Sequence, residues 1–291
     1  MTPYHAYVDE LVARFQAGRD FPLGGFDPLP KPLLAPDAPK VLVFSPHPDD
    51  EVIIGGLALR LMRENGFRVV NVAVTQGSNP ARQAARWEEL RQACDYIGFE
   101  LVPTAPNGLE KINPKGREAH PDNWRRAVAI TANILRDHRP HTILFPHDRD
   151  WNSSHIGTHL LVGEALKSLG PDFECFTVET EFWGAMWDPN LMVEISPRDL
   201  GDLLAALSFH VGEVKRNPYH LLVPAWMQDN VRRGCEVALG QGGAAPDFRF
   251  ATLYRLRRWQ GGQFESVLKS GQPLAAATPA SAIFGGAEPF R

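Results

Sequence analysis

The feature that most constrains this chain is a rhythm that begins at Lys40. The apolar run "KVLVFS" is too short for a stable helix and reads as a buried strand, and "EVIIGGLALRLMREN" follows it with helical spacing. "RVVNVAVTQG" repeats the strand and "ARQAARWEELRQACDYIG" the helix, closed by Gly98. The short extended "ELVPTA" precedes the helical "NWRRAVAITANILRDH", and "HTILFP" precedes "HIGTHLLVGEALKSLG". "DFECFTVETEFWG" reads as a further strand. Strands that alternate with helices are joined by crossovers, which predicts an α/β fold of Rossmann-like type. Its sheet should be mostly parallel, with helices on both faces.

Flanking segments are less regular. "DELVARFQAG" has helical spacing and ends at Gly18, and the proline-rich "FPLGGFDPLPKPLLAPDAPK" is a connector, so 1–39 reads as helix plus connector. After Asp188 the rhythm loosens: "SPRDLGDLLAALSFH" and "AWMQDNVRRGCEVALG" look helical and "FRFATLYRLRRW" like a strand. No linker is long enough to divide the chain, so 1–291 reads as one α/β domain. The stretch 269–291, rich in Ala, Pro, Ser and Gly, is expected to be a loosely held tail.

Composition narrows the class. Hydrophobic residues make up 44% and charged residues 22% of the chain, as in an ordinary soluble protein. A net charge of −4 offers no electrostatic case for nucleic acid or an anionic membrane. "MTPYHAYVDELVARF" carries acids and lacks the apolar core of a signal peptide, and no apolar run approaches the roughly 20 residues of a membrane span. Cys94, Cys175 and Cys235 are far apart and show neither zinc-knuckle nor disulfide spacing, which points to a reducing compartment. The expectation is a cytoplasmic protein acting on a small molecule, with oligomer formation left open.

The rhythm puts "SPHPDDE" at the carboxyl end of the first strand, the edge where open α/β sheets bind ligands. Four ionisable groups, His47, Asp49, Asp50 and Glu51, crowd into one turn. A helix cap needs one acid and no histidine. The turn also lacks G-x-G-x-x-G, which argues against a dinucleotide cofactor. A divalent cation explains the cluster better, because imidazole and carboxylate are good zinc ligands and the ion offsets the repulsion between acids. A further ligand should come from another strand end. "HTILFP" leads into "HDRDWNSSHIGTHL", which holds His147, His155 and His159. His155 and His159 are on one face if both are helical, but Ile156 stands where the glutamate of H-E-x-x-H would be, so a zincin is disfavoured.

"PHPDDE" followed downstream by a histidine-bearing helix start resembles the PIG-L/LmbE family of zinc-dependent N-acetylglucosaminyl deacetylases, over roughly Lys40 to Gly184. The resemblance implies a metal-dependent hydrolase that removes acetyl from an amino sugar or its conjugate. It implies His47 and Asp50 as Zn²⁺ ligands and Asp49 as general base toward the water. "RWEEL" resembles the family's Arg-x-x-Glu-Leu helix and implies that Arg86 faces the substrate. The second motif departs from the family's His-Pro-Asp-His. In the better-matching register His155 is the third ligand and Asn152 stands where the first histidine would be. His159 is then an extra histidine one turn on, a candidate for the catalytic role that Asn152 cannot carry as a charge. The rival register makes His159 the ligand and needs a one-residue insertion. "AHPDNW" at His120 copies the motif without its closing histidine or a preceding strand. A metal-dependent esterase or phosphoesterase, and a sugar-binding member with weakened catalysis, are the competing readings. Further out, the segments "FHVGEVKRNPYHLLVPAW" and "LGQGGAAPDFRF" are candidates for lining the mouth of the site. Within them Lys215, Arg216 and the 240–243 glycine loop are candidates for holding a phosphate, and Trp226 for stacking on a sugar, with burial in the core as its plainer role.

Overall fold

Residue burial in the first strand alternates between two destinations, and that alternation organises the molecule. In the computed structural model, described for residues 2–285, β1 (Lys40–Ser45) sends Val41 and Val43 into one core and Leu42 and Phe44 into another. Both faces of the strand are therefore buried, as expected of a central parallel strand. The next elements are β2 (Arg68–Ala73), β3 (Glu100–Pro103), β4 (Thr142–Pro146) and β5 (Cys175–Thr180). Beyond them lie β6 (Leu191–Glu194), β7 (Ala251–Gln260), β8 (Gln263–Ser266) and β9 (Gln272–Leu274). The sheet order is β3-β2-β1-β4-β5-β7-β6-β9, with β8 paired to β7.

Strands β1 to β5 are mutually parallel, as the rhythm requires. The long strand β7 runs antiparallel to both β5 and β6, and β9 pairs parallel with β6. The mixed α/β fold with a mostly parallel sheet is as expected; the antiparallel insertion and the short β6 are not legible in the local pattern. Because β2 and β3 lie on one side of β1 and β4 and β5 on the other, the strand order switches direction between β1 and β4. Ligand crevices form at such switch points.

Helices cover both faces. α2 (Asp50–Ile53), α3 (Gly56–Asn65), α4 (Pro80–Ile97), α8 (Pro197–Leu207) and α10 (Tyr219–Val237) contribute to the core that contains Val41 and Val43. On the other face, α6 (Pro121–His138) and α7 (Ser153–Ser168) meet Leu42, Phe44, Ile143 and Phe145. α1 (Pro3–Gly18), α5 (Pro114–Ala119) and α9 (Val211–Arg216) complete the helices of the described residues.

Two sequence expectations need correction. The segment 51–65, read as one helix, is broken between α2 and α3. A Cβ at Gly55 would stand 2.2 Å from the Glu51 carbonyl oxygen, and one at Gly56 would meet Ile195 at 2.5 Å, so only glycine lets the chain turn there. The stretch from 269, expected to hang loosely, is built into the fold through β9 and a 3₁₀ turn, Ala280–Phe284. Phe284 packs its ring 4.5 Å from Phe176 and 4.7 Å from His141, so sparse apolar residues in a low-complexity stretch suffice to dock it. Residues 286–291 of that expected tail lie outside the described ones.

Candidate active site

The turn after β1 is built on its own carboxylates. The backbone N–H of His47 donates to Asp50 Oδ2 at 2.8 Å, and the N–H of Asp49 donates to Glu51 Oε2 at 2.9 Å. Asp49 takes φ +115°, ψ −30°, a sparsely populated conformation for a residue with a Cβ, at a cost of about 1–3 kcal/mol. It occupies the N-cap position of α2, yet its side chain makes no capping hydrogen bond. Capping therefore does not account for this aspartate.

The turn before α7 comes from the neighbouring strand. Asn152 caps α7, its Oδ1 accepting from the Ser154 N–H at 2.9 Å, and His155 follows in the first turn of that helix. Because β1 pairs with β4, the two turns face each other at the switch point. One nitrogen of each histidine and one carboxylate oxygen, on His47, Asp50 and His155, lie within 4.8 Å of one another. Asp50 Oδ2 is 3.4 Å from His47 Nδ1 and 3.3 Å from His155 Nε2, and the two imidazoles lie 5.4 Å apart. His155 Nε2 is buried and makes no aligned hydrogen bond despite its nearness to Asp50. A buried lone nitrogen beside a carboxylate and a second imidazole is a donor set that suits a divalent cation.

Electrostatics follow the same geometry. Burial opposes ionisation of Asp50, but His155 and His47 hold its carboxyl below the usual carboxylate range. His155, against the pull of burial, is pushed up to about 10 by Asp50 and Asp150. Without a metal, His155 thus carries the positive charge the carboxylates call for. Asp49 is pushed well above its ordinary range by burial and by Asp50, with Arg86 opposing.

Asp150 supports the second turn. Its Oδ1 accepts the Asn152 N–H at 2.8 Å, its Oδ2 accepts the Gly184 N–H at 3.3 Å, and Oδ2 lies 3.6 Å from His155 Nδ1. A carboxylate behind one ring nitrogen fixes which nitrogen faces a metal.

A pocket of about 170 Å³ opens over the cluster, lined by His47, Asp49, Asp50, Arg86, Asn152 and, opposite them, Trp183, Glu213, Arg216 and Tyr219. Arg86 donates to the Pro48 carbonyl at 3.1 Å and lies 3.8 Å from Glu213, so it is held against the motif turn as well as facing the pocket. Glu213 also pairs with Arg82 at 2.7 Å and with Arg216.

His47, Asp49, Asp50, Arg86, Asn152 and His155 are brought together as the sequence anticipates. His159 is not. One helical turn beyond His155, it lies 3.0 Å from the Pro146 carbonyl and 3.4 Å from Glu179, whose carboxylate is buried and paired with Arg255 and Arg257. It packs against Phe145 and does not line the pocket. The rotation and rise of the helix carry it under the strand end, and a polar network holds it there. His147 is equally occupied, with Nε2 2.8 Å from the Gly184 carbonyl. His120 heads α6 on the surface. Of the outlying candidates only Arg216 reaches the pocket; Lys215 and the 240–243 loop do not line it, and Trp226 packs against Phe182 at 5.3 Å. Glu213 and Tyr219 fall in the 209–226 segment expected at the mouth of the site without being singled out, and Trp183 was missed; they arrive from α9, α10 and the loop after β5 only through the tertiary fold.

Residues 42–166 match the family model described as PIG-L: GlcNAc-PI de-N-acetylase. A 1D-myo-inositol 2-acetamido-2-deoxy-alpha-D-glucopyranoside deacetylase of Mycobacterium leprae is 26% identical over 177 residues, 52% of this chain and 58% of that protein. The chain thus matches little more than half of that relative's length. An N,N'-diacetylchitobiose deacetylase from Pyrococcus horikoshii superposes with a TM-score of 0.53 at 19% identity, covering 90% of this chain and 94% of that one. A 4-carboxy-2-hydroxymuconate hydratase from Pseudomonas putida superposes equally well, with a TM-score of 0.53 at 18% identity and coverage of 75% and 95%. At these identities the structural likenesses speak for the fold alone, and that fold serves more than one reaction. The chain resembles the PIG-L/LmbE family over residues 42–166, the segment that carries His47, Asp49, Asp50, Arg86, Asn152 and His155.

Proposed function

We propose that this protein is a metal-dependent hydrolase that removes acetyl from an N-acetylated amino sugar or a conjugate of one. The observation that carries the reading is the convergence of His47, Asp50 and His155 from two strand ends, with Asp49 beside them on the wall of one polar pocket. The family match and the Mycobacterium leprae relative, a deacetylase of an acetamido sugar joined to inositol, support the substrate class.

His47, Asp50 and His155 would hold the ion, most simply zinc, which would polarise an amide carbonyl and make water a better nucleophile at neutral pH. The remaining work belongs to the chain. Asp49 diverges from Asp50 as its sequence neighbour and is free to accept a proton from water as oxygen attacks the carbonyl carbon. As the C–N bond breaks, the same carboxyl returns the proton to the departing amine. Burial and the neighbouring Asp50 raise the carboxyl above its ordinary range, which makes the ionised group a stronger proton acceptor. Arg86, buttressed by the Pro48 carbonyl and Glu213, orients the sugar. Asn152 offers an amide donor at the pocket wall but no charge, and its oxygen is committed to capping α7.

Acetate release from N-acetylglucosamine, its inositol conjugate and N,N'-diacetylchitobiose, with and without a chelator, tests the reading. Chelator-sensitive release from at least one substrate is expected. Chelator-sensitive cleavage of an aryl acetate ester without amide hydrolysis would instead identify an esterase, and sugar binding without turnover a weakened enzyme.

A further inference from the structure

The strained backbone of Asp49 needs something to hold it, and the structure supplies a support from far along the chain. Glu51 is completely buried and has both oxygens engaged. Oε2 accepts the Asp49 N–H at 2.9 Å, and Oε1 accepts from Nε2–H of His210 at 2.7 Å. His210 is itself fully buried, at the junction of α8 and α9, and its Nδ1 meets no partner among the described residues. Among the described residues the ring's hydrogen bonding is therefore committed to Glu51. His210 also lies outside the 42–166 segment that carries the family match. It begins the short helix that contributes Glu213 and Arg216 to the pocket.

We propose that His210 is a positioning residue for Asp49, acting through Glu51. A lone Glu51 carboxylate could rotate away from the Asp49 N–H, and the turn would relax toward an ordinary conformation. With His210 donating to the opposite oxygen, the carboxylate is fixed at two points and Asp49 keeps φ near +115°. Aim matters here, since displacement of a reacting group by about 1 Å can cost roughly 10²-fold in rate. The C-terminal part of the chain thereby braces the first motif as well as walling the pocket. The consequence for catalysis rests on the deacetylase reading above; the structural link from His210 to Asp49 does not.

Amide hydrogen exchange at Asp49 separates the two. In metal-replete protein, His210→Phe keeps an aromatic ring in the site and removes the donor, and His210→Gln restores an N–H within reach. Exchange of the Asp49 amide should rise at least about 10-fold in His210→Phe and about 3-fold or less in His210→Gln. Val43 in β1 should be unchanged in both. If His210→Phe unfolds, as Val43 exchange would reveal, His210→Asn, whose amide falls short of Glu51, serves in its place. Where the enzyme turns over, kcat should fall about 10- to 100-fold in the donor-less variant, with KM and metal content within about 2-fold, and recover with Gln. An Asp49 amide that exchanges no faster than wild type overturns the proposal. Absence of turnover in wild type alone would defeat the deacetylase reading and leave the exchange result to decide the link.

Discussion

The two strand ends that meet at the site are built differently. After β1, two candidate metal ligands and the candidate base sit within four consecutive residues, and the turn's own carboxylates accept its backbone N–H groups. After β4, eight residues separate Pro146 from the ligand candidate His155, and the loop is held by contacts from elsewhere, notably Asp150 to Gly184 and His147 to the Gly184 carbonyl. The first turn has its chemistry compressed into contiguous sequence and has little freedom to vary. In the second, one histidine at the start of α7 carries the chemistry, and the surrounding loop can exchange residues as long as α7 stays docked. That docking is strict at one point: a Cβ at Gly157 would meet the Ile112 carbonyl oxygen at 2.3 Å.

If the first turn holds the chemistry this tightly, its conservative substitution should be the most damaging. Asp49→Asn keeps the shape and the backbone bond to Glu51 and removes the proton acceptor. Turnover should fall about 10²–10⁴-fold with metal content unchanged, as read by steady-state kinetics and metal analysis. Near-normal turnover would move the base to another residue.

Asp150→Ala probes the second turn's reliance on distant support. Losing the carboxylate behind His155 Nδ1, and the acceptor for Asn152 and Gly184, should weaken metal affinity about 10- to 100-fold in a competition titration with a chelator. Unchanged affinity would mean the loop orients His155 without it.

The last effect expected is a pH trend in metal-free protein. Folding raises the pKa of His155 from 6.5 to about 10. A raised value means that the folded state binds the proton more tightly, so this stabilisation is fully present below pH 6.5 and lost as pH rises through about 10. Tm of chelated protein should decline across that window, and His155→Gln should flatten the decline. Saturating metal should do the same, because the cation replaces the proton. A trend identical in the chelated wild type and His155→Gln would place the charge elsewhere.

Legibility followed the same division. "PHPDDE" could be read because its function depends on neighbours in sequence, and the strand–helix rhythm placed it at the correct edge of the sheet. His155 could be located only by choosing a register, since His159 has the same residue type and nearly the same surroundings in sequence. What separates them is the rotation of α7, which turns one toward Asp50 and the other toward Glu179. His210, Glu213 and Tyr219 lie in the 209–226 segment expected near the mouth of the site, but nothing local singled them out, because their positions depend on how α8 to α10 close over the sheet. The antiparallel seat of β7 was hidden for a similar reason: a strand's local pattern records that it is buried, and not which neighbour it pairs with.

Metal content of His155→Ala and His159→Ala, measured side by side with wild type after purification and dialysis, tests the central claim most directly. The site drawn from His47, Asp50 and His155 predicts about one divalent ion per chain in wild type and in His159→Ala, and loss of tight binding in His155→Ala, because one of three protein ligands is gone. Metal retained in His155→Ala and lost in His159→Ala would contradict it, and would show that the helix presents the other histidine to the ion.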